Sequence, residues 1–185
     1  MKHKLLAVAA CVLTAATTLG STGGATMPLQ LTSTKFTRGA EIPTMYTCEG
    51  QNVSPPLSWS DAPPGTKAFA LVVDDPDAPD PKAPTRDFIH WVIYNMPAST
   101  RGLAEGIQNS EVPTGAAQGK NDMGKVGYGG PCPSVGRHRY VFTIYALDTM
   151  LPGLRDPSKA DLVKAMEGHI LGKAELVGTY EKQHK

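Results

Sequence analysis

Phe69-Ala70-Leu71-Val72-Val73-Asp74-Asp75-Pro76 reads as a strand that its own sequence stops. The run from Phe69 to Val73 is apolar and rich in β-formers, and proline at 76 lacks the N–H that would continue a ladder. The same design recurs further on. Ile89 to Tyr94 is a second such run and ends at Asn95-Met96-Pro97; Tyr140 to Leu147 is a third and alternates aromatic with aliphatic residues. Leu29 to Thr34 alternates apolar and polar residues as a half-buried strand does, and Ala174 to Tyr180 reads as a late strand. The spacing predicts one helix starting near Ser158. Ser158 and Asp161 form a capping-box-like start, Leu162, Val163, Met166 and Ile170 recur at helical spacing, and Gly172 is placed to end it. Strands are separated by long turns rather than by regular helices, which disfavours a doubly wound parallel sheet. Between Ala98 and Arg139 lies a long irregular region rich in Gly and Pro, of the kind that often carries function.

The bulk numbers agree. The chain of 185 residues, 41% hydrophobic and 19% charged, is globular in composition. Its 19 glycines and 16 prolines argue against a bundle of long helices. A formal net charge of +1 gives no general attraction to nucleic acid or to anionic membrane, so anion binding would have to be local. The first residues carry a separate signal. Lys2 and Lys4 precede an apolar stretch from Leu5 to Leu19, followed by small residues with Gly23 and Ala25 at signal-peptidase spacing. The expectation is a secretory signal over residues 1–25, a mature domain over 29–183, and export to the periplasm or the exterior. Val8-Ala9-Ala10-Cys11 also resembles a lipoprotein cleavage site, in which case Cys11 would carry the lipid and residues 12–27 would be a tether. Removing the signal leaves Cys48 and Cys132. In an oxidising compartment a bridge between them and two separate buried thiols are both compatible with the sequence.

Two segments carry the chemistry. One is Asp74-Asp75-Pro76-Asp77-Ala78-Pro79-Asp80 with His90-Trp91 on the next strand; the other is Gly127-Tyr128-Gly129-Gly130-Pro131-Cys132-Pro133 with His138-Arg139-Tyr140. In each, a proline-stiffened loop at a strand end stands beside a histidine. Proline lowers the ordering cost of such a loop, and glycine lets backbone N–H groups approach a ligand. A phosphate needs donors and a nearby cation. Histidine can serve as either, Gly129 and Gly130 can offer backbone N–H, and Tyr140 a hydroxyl. Asp75 would fix one histidine tautomer by accepting its ring proton, or would accept from an ammonium headgroup. Arg139 falls on the strand face opposite His138 and Tyr140 and reads as a structural charge partner.

These motifs resemble the two signature segments of the phosphatidylethanolamine-binding protein family: Asp75-Pro76-Asp77-Ala78-Pro79, His90 before an apolar strand, Gly130-Pro131, and His138-Arg139-Tyr140-Val141. Thr47-Cys48-Glu49-Gly50, Asn52-Val53-Ser54-Pro55 and Gly168-His169-Ile170-Leu171 are similar to its bacterial, Raf-kinase-inhibitor-like branch, and the likeness runs from about Leu31 to about Tyr180. The resemblance implies a mainly β fold, a sandwich of two mostly antiparallel sheets with a few peripheral helices. It implies a non-catalytic, regulatory binding protein for a small anion such as phosphate, acetate or a phospholipid headgroup. The implied lining is Asp75, Pro76, Pro79, His90, Gly130, Pro131, His138 and Tyr140. It also implies a second function class, inhibition of a protease or kinase through the 98–139 region, and a homodimer as one oligomeric form. The chain departs from the family pattern in having a single histidine, His90, before the apolar strand, and Cys132-Pro133-Ser134 before the final His-Arg-Tyr.

Sharper alternatives fail on spacing. A calcium loop starting at Asp75 would place Asp80 where glycine belongs and Arg86 where glutamate belongs. Gly127-Tyr128-Gly129 runs into proline rather than a helix, and Ser134 has Cys132 where a nucleophile elbow needs glycine. His90, His138 and Asp75 lack close metal-ligand spacing. No cofactor, metal or nucleic-acid partner is expected. With no activated nucleophile in view, neither is a hydrolase.

Overall fold

The structure, a computed structural model, describes residues 27–183; the proposed signal segment and Cys11 lie outside them. Among the described residues eight strands form two antiparallel sheets, the mainly β sandwich that the resemblance implies. β1 (Gln30–Thr32), β2 (Leu57–Ser60) and β5 (Gly102–Leu103) make the smaller sheet in the order β1-β2-β5. β3 (Ala68–Asp75), β4 (Phe88–Pro97), β6 (Ala117–Gln118), β7 (Arg137–Leu147) and β8 (Ile170–Glu181) make the larger, in the order β6-β4-β3-β7-β8. One helix, α1 (Lys159–Met166), and a short 3-10 turn at Thr44–Tyr46 complete the regular structure.

The continuous apolar run that ends at Asp74 is explained by burial on both faces of β3. Phe69, Leu71 and Val73 pack into the sandwich core with Trp59, Trp91 and Phe142. Ala68, Ala70 and Val72 face the other way and are covered by Leu162 and Met166 of α1. A strand buried on both sides has no polar face to alternate with.

The helix begins where the capping signal places it. The Ser158 hydroxyl accepts from the Asp161 N–H, and the Asp161 carboxylate accepts from the Ser158 N–H in return. Its end differs from the sequence expectation. The helix stops at Met166, Gly168 adopts a left-handed φ of 78°, and Ile170 opens β8 rather than closing the helical stripe. Val163 is correspondingly exposed, and His169 lies past the helix, where it meets Asp148 at 2.8 Å on the surface. The 98–139 region is irregular as predicted but is pinned by β5 and β6, and β7 begins at Arg137 inside its end.

One feature of the larger sheet positions the site. Val73 pairs with Trp91, but the next residue, Asp74, pairs with Ile89. β4 therefore carries one extra residue, His90, at a β-bulge. A bulge breaks the strict alternation of side chains and re-aims the extra one.

Candidate functional site

At the end of β3, β4 and β7 lies a cavity of about 430 Å³. Six of the eight residues expected to form the site line it: Asp75, Pro79, His90, Gly130, His138 and Tyr140. Pro76 and Pro131 do not. Pro76 is the half-buried residue that turns the chain after Asp75, and Pro131 spends its carbonyl on the Cys48 N–H at 3.0 Å. Their contribution is to loop shape, and the expectation that they touch the hollow is corrected.

The corner formed by the 75–79 loop and the start of β7 is tied down from within. His138 Nδ1 lies 2.7 Å from Asp75 Oδ2, and both groups are almost wholly buried. The Val135 carbonyl, which can only accept, takes the Nε2 proton of the same ring at 2.9 Å. Asp75 Oδ1 accepts the Asp77 N–H at 2.8 Å, closing the turn. Asp77 in turn grips Arg139: its carboxylate accepts the Arg139 N–H at 2.8 Å, Nε at 2.9 Å and Nη2 at 2.6 Å. The bonds from Arg139 hold Asp77 below the usual carboxylate range. Arg139 is thus the charge partner its strand parity indicated, and Asp75 bonds a histidine ring as expected.

His138 consequently has no ring nitrogen left for a ligand. The backbone donors are also taken. The Gly129 N–H bonds the His90 carbonyl at 2.9 Å, and the Gly130 N–H bonds Asn52 Oδ1 at 2.7 Å. The expectation that these glycines present N–H groups to an anion is corrected: they are there for close approach. A Cβ on Gly130 would come within 2.4 Å of the Tyr46 carbonyl oxygen and 2.5 Å of Asn52 Oδ1.

The opposite wall is less committed. His90 Nδ1 donates to the Gly129 carbonyl at 2.6 Å. Burial, the largest influence, holds this imidazole below the ordinary histidine range, against the opposing pull of the Gly129 backbone, Asp75 and Asp122. Its ring meets Tyr140 edge-on at 5.1 Å and Phe88 at 5.1 Å. The Tyr140 hydroxyl is fully buried and has no hydrogen-bond partner, although Asp75 and the Cys132 backbone lie near enough to act on it; burial first, then Asp75, pushes it well above the usual phenol range. A buried hydroxyl without a partner costs about 1–3 kcal/mol, and one that faces a cavity is a position where a bound group can supply the missing bond.

Of the lining residues not expected to form the site, four bear most on its chemistry. Arg86 brings a guanidinium to the rim, stacked 4.8 Å over Phe88. Asn52 braces the glycine arm. Cys48 and Cys132 are bonded to each other, with Cα atoms 5.4 Å apart, and both sulfur-bearing residues line the cavity. This decides between the two readings of the cysteine pair. Among the described residues no group of three or more His, Cys, Asp and Glu side chains could hold a metal ion.

Residues 32–181 match the family described as Phosphatidylethanolamine-binding protein. A "UPF0098 protein" of Methanothermobacter thermautotrophicus is 46% identical over 155 residues, covering 83% of this chain and 99% of the relative. One from Chlamydia muridarum is 47% identical over 154 residues, with the same coverage. Among solved structures, a phosphatidylethanolamine-binding protein homologue from Chlamydia trachomatis superposes with a TM-score of 0.77 at 45% identity, covering 84% of this chain and 99% of the other. Escherichia coli YbcL, described as a new member of the mammalian family, gives 0.76 at 35% identity, covering 85% and 100%. The sandwich is therefore that of its solved relatives, and the chain belongs to the phosphatidylethanolamine-binding protein family.

Proposed function

We propose that the chain is a non-catalytic, regulatory binding protein for a small oxyanion, free or as the phosphate of a headgroup, held in the cavity between His90 and Tyr140. The observation that carries this reading is the orphaned Tyr140 hydroxyl, buried at the wall of a hollow of about 430 Å³. Buried polar groups in folded proteins find partners, and this one belongs to a residue that lines the cavity, with the Asp75 carboxylate and the Cys132 backbone near but outside hydrogen-bond geometry. Arg86 at the rim supplies the attraction for negative charge, since any charge on His138 is matched by Asp75. Among the described lining residues no nucleophile is hydrogen-bonded to a base: the hydroxyl of Tyr140 bonds none, Ser134 at the rim is not bonded to His90, both ring nitrogens of His138 are engaged, and the cysteines form a bridge. The test is calorimetric titration of the purified protein with inorganic phosphate. Saturable binding that is weakened in Arg86→Ala supports the reading, and the absence of saturable heat at any phosphate concentration overturns it.

A further inference from the structure

The distribution of donors and acceptors around the cavity is lopsided. The groups that an anion site usually relies on are spent: the Gly129 and Gly130 N–H groups on His90 and Asn52, and both nitrogens of His138 on Asp75 and Val135. The buried donor that remains is the Tyr140 hydroxyl. Acceptors line the same cavity. Asp75 is a carboxylate at the wall. His90 keeps its proton on Nδ1, directed at the Gly129 carbonyl at 2.6 Å, an atom that can only accept. In a neutral ring this leaves the lone pair on Nε2. With only 3% of the residue exposed, a second ring proton would be expensive to hold. The remaining donors, Arg86, Asn52 and Ser134, are at the exposed rim, where water competes with any ligand.

A fully deprotonated oxyanion has only acceptors to offer and would set them against Asp75 and His90 Nε2. An oxyanion with a proton of its own fits the same wall: its O–H donates to Nε2 while another of its oxygens accepts from Tyr140. We propose that the cavity selects oxyanions that carry an acid O–H, namely inorganic phosphate and phosphomonoesters as monoanions, over sulfate and over phosphodiesters. The inference rests on the anion-binding reading above and sharpens it to a ligand class. It separates two sources of the same chemistry, because a free phosphate or a monoester keeps a P–OH and the diester of an intact phospholipid does not. Leaving a buried acceptor or donor unpaired discriminates more strongly than losing a contact, so the preference is large for so small a difference between ligands.

The experiment compares four ligands on the intact protein by calorimetry at pH about 6, where a large share of a phosphomonoester is still singly protonated. Phosphate and sulfate match in size; methyl phosphate and dimethyl phosphate match in the charge of the bound form and differ in the O–H. Phosphate is expected to bind at least tenfold more tightly than sulfate, and methyl phosphate at least tenfold more tightly than dimethyl phosphate. In His90→Gln, whose amide can donate as well as accept, both ratios are expected to fall toward one. Equal affinity within either wild-type pair overturns the proposal while leaving anion binding intact. Binding of none of the four overturns the anion-binding reading itself.

Discussion

His138 and His90 line one cavity from opposite walls, and the protein uses them in opposite ways. On the His138 side the buried side chains are matched inside the protein: imidazole to Asp75 and Val135, Asp77 to Arg139, and the turn closed by Asp75. On the His90 side one ring nitrogen is anchored to Gly129, and the neighbouring Tyr140 hydroxyl is left without a partner. Both histidines belong to the motifs that resemble the family's signature, yet one holds the frame and the other, on the function proposed above, meets the ligand. A residue's place in a signature thus says little about which of these it does; the hydrogen-bond inventory of each atom decides.

The contrast can be broken most forcefully by removing each ring. His138→Ala strands the Asp75 carboxylate in a buried site and is expected to cost about 3–5 kcal/mol in urea denaturation. His90→Ala leaves the Gly129 carbonyl without its bond and is expected to cost about 1–3 kcal/mol. Equal losses would erase the distinction. Gly130→Ala follows, because its methyl group must displace the Tyr46 carbonyl or Asn52. Overpacking of that kind costs about 1–3 kcal/mol, and phosphate affinity should fall with it as the arm is pushed away. Tyr140→Phe should separate affinity from stability. It deletes an unpaired hydroxyl, so the midpoint of denaturation stays level or rises, while phosphate affinity drops about tenfold for the one lost hydrogen bond.

The smallest effect is in the pH dependence of stability. His90 is held below its ordinary value when folded, so the unfolded chain binds the proton more readily. Its contribution is fully present above about pH 6.5, the unperturbed value, and is lost as pH falls through the depressed folded value. Asp77, held below the carboxylate range by Arg139, adds a second loss at lower pH, present above the ordinary carboxylate value and lost as pH falls through the folded one. Denaturation midpoints measured from pH 8 downward should therefore decline in two stages, and His90→Ala should remove the first. A midpoint that rises between pH 7 and 5 would contradict the assignment.

Much of this frame was legible in the residues. The apolar runs closed by Asp-Pro and Met-Pro marked β3 and β4, and Ser158 with Asp161 marked the start of α1, because turn and cap chemistry is local. β2 was not legible: Leu-Ser-Trp-Ser at 57–60 is a strand by virtue of its partners β1 and β5, which sequence periodicity over four residues does not reveal. Ile170 kept helical spacing but belongs to β8, since the left-handed turn at Gly168 overrides the pattern. At the site, the two motifs located the hollow, but the fate of each donor depended on long-range contacts. Gly130 is silenced by Asn52, 78 residues away in sequence, and the Tyr140 hydroxyl is left without a hydrogen bond although Asp75, distant in sequence, lies near it. The bulge that aims His90 inward is a property of register between β3 and β4 and leaves no mark in the sequence of either strand.

The division of labour between the two rings can be read directly from the nitrogen NMR signals of both imidazoles during titration with inorganic phosphate. His90 Nε2 is predicted to move as phosphate saturates while both nitrogens of His138 stay in place. Movement of His138 with His90 unchanged would contradict it.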